Sequence, residues 1–316
     1  MERYESDKQP AIAGKVAIVT GASSGIGEAT AREFARRGAI TVLAARRIER
    51  LNRLAEEIRA EGGRALPVQT DITKISQIKN LIKTTMAEFG RIDILANIAG
   101  WGNYDWIEEL STQDLRNYYE VNVIGMAQLI HQVIPIMKTQ RSGYILNMSS
   151  YTSEIGTPPL NIYASTKYAV KGLTDSLRRE LLPWGITVMR IHPSAVSGTE
   201  FNKKAGQKSG SIKYRSVPIG RVSREALAQR IVELVEQPRR ALYYSRVYDV
   251  PVVINQLFPE LLDWFSAAWV RRKRKDEMPP ADEITPVHYK TSVPPWRIFG
   301  GILMIALVVR LIRKTK

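Results

Sequence analysis

Along this chain, short apolar, β-branched runs alternate with longer stretches whose apolar residues recur every three to four positions. Val16–Thr20, Ile40–Ala45, 65–70, 92–96, 144–147 and 186–191 read as buried strands. Residues 28–37, Ile48–Ala60, 74–89, 111–138 and 161–182 read as the intervening helices, the fourth bent before Pro135. Such alternation predicts a Rossmann-like, doubly wound parallel sheet with helices on both faces, followed by a C-terminal helical extension.

After the sixth strand the pattern lapses. Residues 193–220 are polar and glycine-bearing, and a loop of that length reads as a lid over a substrate. Ser223 caps a helix running to Glu236, and 241–250 reads as a last, partly exposed strand. The expected division is a main strand–helix domain over 1–250, an amphipathic basic helical segment over 251–275, a Pro-rich linker over 276–295 and an apolar tail over 296–316.

Composition narrows the chemistry. The 316 residues are 44% hydrophobic, enough for a real core, and include no Cys. Disulfides, thiolate catalysis and Cys-based zinc sites are excluded, and a reducing compartment fits. His131, His192 and His288 lie far apart, so no metal is expected. The net charge of +15 is lopsided: +3 over 1–200 and +12 over 201–316. A basic C-terminal portion points to an anionic partner. Arg271-Arg272-Lys273-Arg274-Lys275 follows Phe258, Trp264, Phe265 and Trp269, which suits an anionic membrane surface better than nucleic acid. The uncharged run 298–309 would make a helix of about 18 Å against a hydrocarbon core of about 30 Å. It is marginal as a span and equally a shallow anchor. Residues 1–10 show no secretory signal, so the expected location is the cytoplasmic face of a membrane, or the cytoplasm.

Three stretches carry chemistry. Strand 16–20 runs into Gly21-Ala22-Ser23-Ser24-Gly25-Ile26-Gly27 and a helix, the parts of a phosphate cradle at a helix N-terminus. The second strand ends at Ala45 instead of an acidic residue, and Arg46 follows, which favours the 2′-phosphate of NADP(H). Arg47 reads either as a second cation or as the start of a solvated helix. Asp71, after the third strand, reads either as a ligand contact or as a helix N-cap. Tyr163 and Lys167 share one helix face, where an ammonium would lower the phenol pKa toward a general acid–base role.

Together these residues resemble the short-chain dehydrogenase/reductase family over roughly residues 12–240. Thr20-Gly21-Ala22-Ser23-Ser24-Gly25-Ile26-Gly27 matches its TGxxxGIG signature, and Asn122, Ser150, Tyr163 and Lys167 match its catalytic four. Ser150 is preferred to Ser149 because it lies 13 residues before Tyr163. The resemblance implies an NADP(H)-dependent oxidoreductase that interconverts a ketone or aldehyde and an alcohol, with Tyr163 as acid or base and Ser150 holding the substrate oxygen. Lys167 would also hold the nicotinamide ribose, and Asn122 would support a proton relay. The implied cofactor contacts are Gly21, Ser23, Ser24, Gly25, Ile26, Gly27, Arg46, Asp71, Asn97, Ala99, Gly100, Tyr163, Lys167 and Thr199. Three departures stand out: Ile98 replaces the second Asn of the NNAG motif, Ser194 follows Pro193 where Gly is usual, and Thr199 is displaced by one position. The family's C-terminal Asp-Gly-Gly strand is also absent, so a homodimer is as compatible as the common tetramer. Apolar residues near the loop and tail point to a lipophilic substrate. The competing reading is a catalytically silent NADP(H)-binding scaffold at a membrane.

Overall fold

The computed structural model describes residues 12–193, 195–200, 221–245, 249–280 and 283. In chain order the elements are β1 (Val16–Thr20), α1 (Gly25–Arg36), β2 (Ile40–Ala45), α2 (Ile48–Ala60), β3 (Arg64–Gln69), α3 (Ile75–Phe89) and β4 (Ile94–Asn97). Then come α4 (Thr112–Tyr119), α5 (Gly125–Gln140), β5 (Gly143–Met148), α6 (Asn161–Leu181), β6 (Ile186–His192), β7 (Val196–Ser197) and β8 (Val222–Ser223). The last are α7 (Arg224–Glu236), β9 (Ala241–Tyr243), α8 (Asp249–Leu257) and α9 (Pro259–Lys273).

Seven strands form one parallel sheet in the order β3-β2-β1-β4-β5-β6-β9. Every residue of β1, β2 and β4 is buried, because helices cover both faces and no strand face needs to be polar. Successive side chains serve opposite layers: Ala17 and Val19 join a cluster with Phe34, Leu54 and Ile231, while Val16 and Ile18 join one with Leu81, Leu129 and Val188. The winding reverses between β1 and β4, which opens a crevice at the strands' carboxyl ends.

Several elements differ from the expectation. Helix α1 starts at Gly25, inside the glycine motif, so its first turn faces the crevice. The expected helix 111–138 divides at a π turn over Glu120–Ile124, and α5 carries Pro135 within it. The last strand stops at Tyr243 instead of residue 250. Asp249 and Pro251 sit in the first turn of α8, where an acidic residue meets the helix dipole and a missing N–H costs nothing. The apolar stretch beyond it breaks at Phe258 because Pro259 opens α9. Neither α8 nor α9 has a buried residue, so both stand outside the two core layers. Of the expected lid, Pro193 and 195–200 are described, and β7 pairs with β8 to join the two ends of the segment. The remainder of the lid, the N-terminus 1–10, most of the linker and the tail 296–316 lie outside the described residues.

Candidate active site

A cleft of about 780 Å³ opens over the carboxyl ends of β1, β2, β4 and β5. Its floor is the glycine turn. Thr20 locks that turn to the next strand: its Oγ1 donates to the Ala96 carbonyl and accepts from the Ile98 and Ala99 amides, both at 3.0 Å. At Gly27 a Cβ would stand 2.3 Å from the Gly21 carbonyl oxygen, so only hydrogen fits where α1 packs onto the turn. Gly21 has φ +71 and a Cβ there would meet the Ala99 backbone at 3.0 Å. Ser24 stands at the N-cap of α1 with no side-chain cap bond, so the first-turn N–H groups face the cleft with their positive dipole end.

One end of the cleft is cationic. Arg46 is exposed, lines the cleft and makes no side-chain hydrogen bond or ion pair among the described residues. Arg47 is tied down instead. Its Nη2 donates to Ser24 Oγ at 2.8 Å and Ser23 Oγ at 3.0 Å, and its Nη1 pairs with Glu200 at 3.0 Å. Asp71 also lines the cleft, but its carboxylate closes a local turn, accepting from the Thr73 amide and hydroxyl. It is not an N-cap, since α3 begins after Lys74 without a side-chain cap.

At the other end stand Ser150, Tyr163 and Lys167. The Tyr163 phenol hydrogen-bonds Ser150, whose Oγ also accepts from the Thr152 amide at 3.2 Å. Ser149 is fully buried, its hydroxyl bonded to Ser153 and the Lys167 carbonyl. Lys167 Nζ donates to the Met148 carbonyl at 3.0 Å and lies 5.5 Å from the centre of the Tyr163 ring. Burial lowers the Lys167 ammonium to about 8. It raises the Tyr163 phenol to about 12, with the Ser150 bond pulling the other way. The expectation that Lys167 lowers this phenol is therefore corrected: withdrawal from water outweighs any help to the phenolate.

Asn122 does not line the cleft. From the π turn its Nδ2 donates to the Trp101 carbonyl at 2.8 Å and to Thr166 Oγ1 at 3.0 Å, and its Oδ1 accepts from the Trp101 amide at 2.8 Å. A Cβ on Gly100 would sit 3.4 Å from Asn122 Oδ1 and 3.6 Å from Lys167 Nζ, so Gly100 lets these groups approach each other. Asn97 is also behind the wall, bridging β4 to Asn147 of β5 at 2.9 Å. Ser23, Ser24, Gly25, Ile26, Ala99 and Thr199 all line the cleft. Thr199 lies against Gly25, 3.6 Å from where a Cβ there would be.

Sequence reasoning missed the outer wall. Trp101, Asn103 and Tyr104 line the cleft on a loop braced from α4, where the Tyr118 ring packs against Trp101 at 4.3 Å, tilted by 37°, and its hydroxyl accepts from the Asn103 amide at 2.9 Å. The loop's far end meets the extension: Trp106 lies 6.1 Å from Trp269 and beneath the Arg274 guanidinium, which also pairs with Glu108. The cluster Trp101, Tyr104 and Trp106 was the available signal. Among the described residues no group of acidic and His side chains could hold a metal.

A doubly wound parallel sheet with a glycine-floored crevice at its switch point defines a nucleotide-binding protein, and a phenol, hydroxyl and ammonium in that crevice suit an oxidoreductase. Residues 15–210 match the short chain dehydrogenase family model. An uncharacterized oxidoreductase of Staphylococcus saprophyticus is 33% identical over 72% of this chain and 92% of its own length. A short-chain dehydrogenase/reductase from Burkholderia phymatum, solved with NAD, is 26% identical with a TM-score of 0.72, covering 79% of this chain and 96% of that one. A metagenomic short-chain oxidoreductase solved with NADP is 27% identical with a TM-score of 0.61, covering 72% and 93%. The chain belongs to the short-chain dehydrogenase/reductase family, whose members act on CH–OH and C=O groups with a nicotinamide cofactor.

Proposed function

We propose that this protein is an NADP(H)-dependent reductase of a lipophilic ketone or aldehyde. The observation that carries the reading is the hydrogen-bonded Ser150–Tyr163 pair beside Lys167, at the other end of a glycine-floored cleft from the exposed Arg46. The cleft fits the cofactor: Gly27 leaves the cradle clear, the first turn of α1 faces it without a side-chain cap, and Arg46 offers an exposed cation for a 2′-phosphate. Ser23, Ser24, Gly25 and Ile26 would hold the pyrophosphate, with Ala99, Gly100, Asp71, Asn97 and Thr199 bounding or supporting the remainder. When bound, the cofactor supplies or takes the hydride.

The chain's own groups handle the proton. Tyr163 Oη donates to the substrate oxygen, and Ser150 Oγ donates a second hydrogen bond as charge develops there. With its phenol raised to about 12, Tyr163 is protonated near neutral pH, which suits reduction. Lys167, mostly charged below about 8, stabilises the phenolate left behind. Asn122 fixes the Trp101 backbone next to Gly100, which stands between Asn122 Oδ1 and Lys167 Nζ, and so bounds any relay. Trp101, Tyr104, Val121 and Leu160 give the substrate end an apolar wall, in keeping with a lipophilic carbonyl.

We place the catalytic unit at 1–250 with the extension beyond it, held on the cytoplasmic face of a membrane. Support comes from α9, where Trp264 is 65% and Phe265 56% exposed, a short way before Arg271, Arg272 and Lys273. Among the described residues no helix is long and apolar enough to cross a membrane. Screening steroid, retinoid, sphingoid and acyl-chain carbonyls for NADPH consumption tests the activity, and failure with every class contradicts it. Flotation with anionic liposomes, with and without residues 291–316, tests the location. Full-length protein left unbound at low salt contradicts it.

A further inference from the structure

The sequence treats Arg46 and Arg47 as neighbours in one basic pair, but the fold gives them unlike surroundings. Arg47 spends its guanidinium inside the protein. Its Nε and Nη2 hold Ser23 and Ser24 of the phosphate turn, and its Nη1 reaches both Glu200 oxygens, at 3.0 and 3.3 Å. Arg50, one turn along α2, donates to the same carboxylate at 2.7 Å. Glu200 therefore sits between two guanidinium groups at the end of the cleft where β2 delivers Arg46. The family's acidic residue at the end of β2 is absent, and a carboxylate arrives at that end of the cleft from the segment after β7.

We propose that Glu200 sets how strongly this site discriminates for a 2′-phosphate, by occupying the anion position between Arg47 and Arg50, while Arg46 has no acidic partner among the described residues. The proposal rests on the NADP(H) reading and deepens it. Arg46 and Arg47 both line this end of the cleft, and Glu200, shared with Arg50, cancels part of their field. An arriving phosphate of charge near −2 competes with Glu200 for Arg47 and repels it if it stays. Adenosine without a 2′-phosphate meets no such competition. Glu200 is a specificity-determining residue here, not a catalytic one. Because it is partly exposed, its replacement leaves both core layers untouched.

Calorimetric titration of the full chain with 2′,5′-ADP and with 5′-ADP reads this end of the site without turnover. Glu200→Gln is expected to tighten 2′,5′-ADP about fivefold at low salt, the scale of one partly screened charge, and to leave 5′-ADP nearly unchanged. Glu200→Ala should act in the same direction. High salt should shrink the gain, and Arg47→Ala in the Glu200→Gln background should remove it. Equal changes for both ligands would make Glu200 a prop for the serine turn and overturn the proposal, as would an unchanged affinity for 2′,5′-ADP. A wild-type protein that binds the two ligands equally contradicts the NADP(H) reading instead. The role of Glu200 is then judged separately, by whether its replacement shifts the ratio.

Discussion

Replacing Lys167 by Met should make the protein more stable near pH 7 while destroying its activity. Lys167 is 3% exposed, and burial takes its ammonium from 10.5 to about 8. That depression corresponds to about 3 kcal/mol of destabilisation by the charged form, at about 1.4 kcal/mol per pKa unit. Met preserves the length of the side chain and removes the charge. It also removes the 3.0 Å bond to the buried Met148 carbonyl, which loses about 1–2 kcal/mol. The net expectation is a gain of about 1–2 kcal/mol near neutral pH. The pH dependence then follows from the same shift. Between about 8 and 10.5 the folded protein has released the Lys167 proton and the unfolded chain has not, so wild-type stability rises with pH across that window. Lys167→Met lacks this rise, and the two proteins should cross, with wild type the more stable above about pH 10. Urea unfolding of both proteins at several pH values measures it. A stability difference that stays constant from neutral pH to pH 10 would refute the claim that this ammonium is held against a burial penalty.

Two other substitutions probe the scaffold of the site. Asn122→Ala strands both the amide and the carbonyl of Trp101, which should cost about 2–4 kcal/mol in urea unfolding; a loss below about 1 kcal/mol would mean that water replaces the side chain. Gly27→Ala drives a methyl group to 2.3 Å from the Gly21 carbonyl, so NADPH fluorescence titration should show binding lost, and a wild-type dissociation constant would contradict the cradle.

Much of this arrangement is legible in the residue pattern because it is local. A β-branched run, a glycine turn and an amphipathic stretch announce β1, the cradle and α1 within some twenty positions of one another. An Asn within a helical stretch is mildly unfavourable and so marks Asn122, yet the π turn that aims it is hidden, since one extra residue per turn barely disturbs the apolar spacing. The role of Arg47 depends on Glu200, which lies 153 positions away, and no local pattern announces such a pairing. The Tyr163 phenol went the wrong way for a related reason. The Tyr–Lys spacing shows an opposite charge nearby, but not that the fold shields the phenol from water and buries the Lys, which is itself pushed toward neutrality. Beyond Tyr243 the apolar run reads as one segment, whereas Pro251 in the first turn of α8 and Pro259 at the start of α9 divide it in two.

The central claim is that Tyr163 passes the proton in a nicotinamide-dependent reduction. Tyr163→Phe removes one oxygen from a half-buried ring and leaves the cradle, Arg46 and Lys167 in place. The decisive measurement is turnover of a carbonyl substrate by this variant at saturating NADPH, taken together with its NADPH dissociation constant. The account predicts an unchanged dissociation constant and a rate reduced by about 10²–10⁴. A variant that keeps more than about a tenth of the wild-type rate would contradict it.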